Sequence, residues 1–111
     1  MSSAERRWKR VKVDLRVRLR RWEEKEDAAR PMRSFELSEG GMSVYAPDVL
    51  EVGTFVMVAL SLPPEERALR LRAVVRNRRG FRCGLEFIDP PDAARLEIAR
   101  FLGSLVTAAE S

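Results

Sequence analysis

Glu36, Ser38, Gly40 and Gly41 bring a carboxylate, a hydroxyl and two side-chain-free amides into one short stretch of chain. Residues two apart in an extended segment point to the same side, so Glu36 and Ser38 share a face. The two glycines let the backbone bend and approach a ligand that any side chain would block. A second cluster lies at the N-terminus, where Arg6, Arg7 and Arg10 offer planar guanidinium forks that grip phosphate bidentately and stack on flat rings. The two clusters together suit a phosphate-bearing aromatic ligand such as a nucleotide, provided the fold brings them to one place. Catalysis has no visible apparatus: with no histidine and a single cysteine, Cys83, neither a nucleophile paired with a base nor a zinc or transition-metal set can be assembled. No enzyme activity, metal or cofactor is therefore expected. The competing reading is an ordinary hairpin whose polar residues only form its turn.

The surrounding pattern supplies the scaffold. Val11, Val13, Leu15, Val17 and Leu19 alternate with Lys12, Asp14, Arg16, Arg18 and Arg20, which predicts a strand with one buried and one wet face. Trp22 extends it or caps its end, and residues 23–30 read as a charged loop. Residues 32–38 and 42–46 are predicted as strands meeting at the Ser-Glu-Gly-Gly turn, with Phe35 and Leu37 on one face. Residues 54–62, rich in strand formers and nearly free of charge, are expected to form the most buried strand. Leu69, Leu71, Ala73 and Val75 define a fifth strand closing at 77–80, and Phe81, Cys83, Leu85 and Phe87 share a face of a sixth. Six short strands with hairpin-sized connections predict a mainly β fold, a small closed antiparallel barrel.

Asp89-Pro90-Pro91-Asp92 reads as a helix start with Asp89 at the N-cap. The helix is expected to run to about Ala109, with Ile98, Phe101, Leu102, Leu105 and Val106 as a stripe packed on the barrel or, alternatively, used in a homodimer. The predicted organisation is a flexible arginine-rich arm at 1–10, a barrel at 11–89 and a C-terminal helix at 90–111, all one domain in a chain of 111 residues.

The formal net charge of +4 points to an anionic partner. No apolar run approaches the roughly 18 to 20 residues that span a bilayer, and the first residues lack the apolar core of an export signal. A cytoplasmic protein without membrane contact is expected.

Arg6-x-x-x-Arg10 before the first strand, Glu36-x-Ser38-x-x-Gly41 at a strand turn, and Cys83-Gly84-Leu85-Glu86-Phe87-Ile88-Asp89 leading into a helix together resemble the PilZ domain family over nearly the whole chain. The resemblance implies a six-stranded barrel that binds cyclic di-GMP. It places Arg6 and Arg10 in the Arg-x-x-x-Arg motif, Arg7 as a neighbouring ligand contact, and Glu36, Ser38 and Gly41 in the Asp/Asn-x-Ser-x-x-Gly motif, where Glu36 stands for Asp or Asn. It implies a cyclic di-GMP receptor that changes its surface on binding and signals to an unidentified bacterial effector protein. Two alternatives stay beside it: a PilZ domain that has lost nucleotide binding and serves as a protein-interaction adaptor, and, less favoured, a small barrel that binds nucleic acid.

Overall fold

The computed structural model describes residues 9–47, 50–64 and 67–110, with side chains through residue 105. Strands β1 (Val11–Arg21), β2 (Arg30–Leu37), β3 (Gly41–Tyr45), β4 (Phe55–Ser61), β5 (Ala68–Arg79) and β6 (Arg82–Phe87) precede one helix, α1 (Asp92–Glu110). The strands close into an antiparallel barrel in the order β1-β2-β3-β6-β5-β4, as the sequence predicts. Closure leaves no unpaired edge strand.

Alternation drives burial strand by strand. In β1, Leu15, Val17 and Leu19 enter the core while Arg16 and Arg18 stay in water. In β4, Val56, Val58 and Leu60 are fully buried, but Phe55, Met57, Ala59 and Ser61 face outward and retain exposure. The expectation that this is the most buried strand is thus not realised, since β3 buries a larger share of its residues. Leu71, Ala73 and Val75 of β5 and Cys83, Leu85 and Phe87 of β6 complete the interior.

Three irregularities bend the barrel, in β1 between Lys12 and Leu15, in β2 between Ser34 and Glu36, and in β5 between Val75 and Asn77. Such a bulge adds a residue to one strand and reverses the facing of the residues beyond it. They correct several expectations. Phe35 is the extra residue of β2, so it leaves the face of Leu37 and packs outside against Tyr45, ring centroids 4.5 Å apart. Ser34 points inward in its stead, fully buried, with Oγ 3.0 Å from the carbonyl oxygens of both Glu36 and Ser43. β5 runs on through Arg79, which leaves Gly80 and Phe81 as the hairpin turn, with Gly80 at φ 58. Phe81 is accordingly 70% exposed rather than in line with Cys83.

The helix buries Ala94, Ile98 and Leu102, four residues apart, in the same cluster as the strands, with Phe101 packed against it. Asp89 is not its N-cap. Asp89 adopts φ 43, and the first helical hydrogen bond runs from the Arg95 N–H to the Pro91 carbonyl. Of the predicted stripe, the Val106 side chain lies outside the described residues.

Candidate ligand-binding cleft

The β2–β3 turn is tied by its own polar groups. The Ser38 N–H donates to Gly41 O at 2.9 Å, and Ser38 Oγ accepts from the Gly40 and Gly41 amides at 3.2 and 3.1 Å while donating to Gly41 O at 3.3 Å. The hydroxyl and amides expected to meet a ligand are therefore committed to one another, and Ser38 is buried. Gly41 is held by a close backbone approach, since a Cβ there would lie 2.2 Å from the Leu85 carbonyl oxygen of β6. The Gly40 carbonyl accepts from the Phe87 N–H at 2.9 Å, fastening the turn to the end of β6.

Register places Glu36 beside the start of β1, opposite Lys12, so that the residue just before that strand reaches it. The Arg10 guanidinium lies 3.7 Å from Glu36 Oε1, and the Ser43 hydroxyl donates to the same oxygen at 3.3 Å. Arg10, Glu36, Ser38, Gly40 and Gly41 all line one cleft of about 240 Å³. Arg6 and Arg7 lie outside the described residues.

The far wall contains residues beyond the expected ligand contacts. Arg76, the extra residue of the β5 bulge, pairs with Glu86 through Nε at 2.7 Å and Nη2 at 2.6 Å. Asn77 lies over Gly84, where a Cβ would come within 2.6 Å of its amide. All four line the cleft. The signal for Glu86 and Gly84 is present in the 83–89 segment; Arg76 is hidden by a strand alternation that the bulge interrupts. Beneath the cleft strands, burial pushes the Cys83 thiol pKa up, against the opposing pull of Arg78.

A closed six-stranded antiparallel barrel with an arginine, a glutamate and a glycine turn around one open cleft defines the class: a small β-barrel domain with a candidate ligand site. Residues 4–104 match the PilZ domain. The chain belongs to the PilZ domain family, a family of cyclic di-GMP receptors. Among solved structures, the PilZ domain of YcgR from Escherichia coli with c-di-GMP superposes with a TM-score of 0.70 at 16% identity, covering 93% of this chain and 92% of that one. The PilZ domain of CeSA from a cellulose-synthesizing bacterium gives 0.67 at 19% identity, covering 87% and 97%. The Bacillus subtilis inhibitor of motility MotI/DgrA gives 0.69 at 18% identity over 95% of this chain, which spans 52% of that protein. No curated protein matches the chain in sequence.

Proposed function

We propose that this PilZ domain is a non-enzymatic cyclic di-GMP receptor that passes ligand occupancy to a partner protein. The observation that carries the reading is the convergence of Arg10 and Glu36, remote in sequence, at 3.7 Å over one cleft. In the ligand-bound state Arg10, with Arg6 and Arg7, turns to phosphate and guanine, and Glu36 accepts from the guanine N1–H and exocyclic amine. Releasing Arg10 from Glu36 costs little, because an exposed ion pair is worth about 0–1 kcal/mol. Ser38, Gly40 and Gly41 contribute the shape of the floor. A cleft of about 240 Å³ is below the roughly 300–1,000 Å³ of sites that enclose a ligand alone. Two guanines and two phosphates need a further wall, the role this reading gives to the segment bearing Arg6 and Arg7. In this reading the surface newly covered on ligand binding is the signal.

The adaptor reading has one observation in its favour: Glu36 Oε1 is already satisfied by Arg10 and Ser43. Among the described residues no helix is long and apolar enough to cross a membrane, and the proposed site of action is the cytoplasm.

Isothermal titration with cyclic di-GMP separates the two readings. The receptor reading expects saturable micromolar or tighter binding, weakened about tenfold or more in Arg10→Ala, the loss of ~1.5–3 kcal/mol for a charged hydrogen bond. Glu36→Asp, which restores the family residue, is expected to tighten binding. Absence of uptake by both wild type and Glu36→Asp would leave the adaptor.

A further inference from the structure

The outer face of β1, β4 and β5 carries chemistry that the cleft does not use. Barrel order sets β4 and β1 opposite β3 and β6, so this face lies across the molecule from the cleft. Register aligns Arg18, Ala59 and Arg70 in one row across the three strands, Arg20, Met57 and Arg72 in the next, and Phe55 and Val74 beyond them. Trp22 continues that last row, its N–H donating to Phe55 O at 2.9 Å. Because β4 contributes Ala59 between Arg18 and Arg70, that row is a trough with a small side chain at its floor and an arginine on each side, and Met57 fills the next row between Arg20 and Arg72. Along β1 and β5 the charges recur about every 6.8 Å, two residues of rise.

These cations are poorly neutralised. Arg16 has no partner among the described residues. Arg18 donates to the Ala29 carbonyl at 2.8 Å, and Arg72 stacks on Trp22 with its Cζ 5.0 Å from the ring centroid. Arg70 is the member of the face that meets a carboxylate, Glu26 at 2.5 Å, which leans in from the β1–β2 loop. At one end the face presents an apolar ledge, with Trp22 46%, Phe55 57% and Val52 62% exposed.

We propose that this face docks an acidic segment of a partner protein, its carboxylates opposite Arg16, Arg18 and Arg70, at the last of these in the place of Glu26, and an apolar side chain seated on Trp22 and Phe55. Charge complementarity argues for the occupant, and Glu26 on Arg70 is the chain's own example of a carboxylate held there. Tryptophan and arginine are the residue types that dominate binding energy at protein interfaces. A single-stranded nucleic acid fits less well. Its bases need successive stacking platforms, and among the described residues this face offers two exposed aromatics, Trp22 and Phe55, both at one end. The closed barrel offers no edge for an added strand, so docking is through side chains. The site stands whether or not the cleft takes nucleotide.

The test is photo-crosslinking in the cells that natively make the protein, with p-benzoylphenylalanine at Ala59 or, in a separate chain, at Ser61. The expected result is a protease-sensitive adduct whose crosslinked segment, located by mass spectrometry, carries Asp or Glu with at least one large apolar residue. Its yield should fall at least tenfold in Arg18→Glu/Arg70→Glu, with circular dichroism melting reporting an intact fold. Should that variant misfold, Arg18→Gln/Arg70→Gln removes the charge at similar length and replaces it. A nuclease-sensitive adduct, no adduct at either position, or a yield indifferent to the loss of charge would each overturn the proposal.

Discussion

A Cβ at position 41 would sit 2.2 Å from the Leu85 carbonyl oxygen, a backbone atom that cannot swing aside as a side-chain tip could. Gly41→Ala must therefore push β3 away from β6, an overpacking cost of about 1–3 kcal/mol, or roughly 4 °C of Tm for each kcal/mol. Gly103 provides the contrast, because a Cβ there meets nothing within 4 Å. Gly103→Ala should stabilise the helix by ~0.5–1 kcal/mol. Thermal unfolding of both variants checks the pair, and a Gly41→Ala chain that melts with wild type would mean the turn yields where the packing says it cannot. Cys83 makes a pH-dependent contribution. Burial raises its thiol above the ordinary 9.0, with Arg78 partly opposing. A group harder to ionise folded than unfolded lends stability that is intact below about pH 9 and lost as pH climbs through its folded-state value. Wild-type Tm should thus fall more steeply than that of Cys83→Ala above roughly pH 9; parallel curves would show that the thiol ionises alike in both states.

The β2 bulge is the element that aims the site. Ser34 lies fully buried between the carbonyls of Glu36 and Ser43, and its hydroxyl bridges the strands where Phe35 is inserted. Ser34→Ala leaves those carbonyls without that donor, at about 1–3 kcal/mol, and frees the backbone that carries Glu36. Both Tm and cyclic di-GMP affinity should drop. Ser43→Ala removes only the donor to Glu36 Oε1, so affinity should change with little effect on Tm; melting and titration of the two variants together distinguish backbone support from carboxylate orientation. The same bulge explains what is legible in the chain. Strands with unbroken alternation, β1 from Leu15 and β4, declare their buried faces in sequence because period two is a local property. Phe35, Arg76 and Asn77 do not, since their facing depends on an extra residue whose position is set by barrel closure. The helix start illustrates a different limit. Asp89 suits a helix N-cap by composition, yet the helix begins only at Asp92, beyond a backbone turn at φ 43 that composition does not specify. The order of their motifs already joins Arg10 and Glu36, whereas the turn's internal use of Ser38, Gly40 and Gly41 becomes visible only in three dimensions.

At the scale of the whole barrel, the two proposed sites lie on opposite sides with the molecule's thickness between them, the cleft on β3 and β6 and the arginine trough on β4 and β1. The shortest dimension of the molecule, 25 Å, is about three Debye lengths at physiological ionic strength, where the screening length is about 8 Å. Arg18→Glu/Arg70→Glu replaces two positive charges by two negative ones and brings the formal net charge from +4 to zero. If the faces are coupled only through the field, that change should shift cyclic di-GMP affinity less than about threefold at roughly 150 mM salt. In roughly 10 mM salt, where the screening length grows to about 30 Å, it should weaken binding clearly more. Titration of the charge-reversed chain at the two salt concentrations makes the measurement. A large loss that persists at the higher salt would require coupling through the structure instead. Coupling of that kind is reciprocal: nucleotide in the cleft would then have to change docking on the far face by the same factor. A small, salt-sensitive change means that only the screened field links the two sides of the barrel, so that docking on the arginine face, as proposed, is indifferent to nucleotide in the cleft.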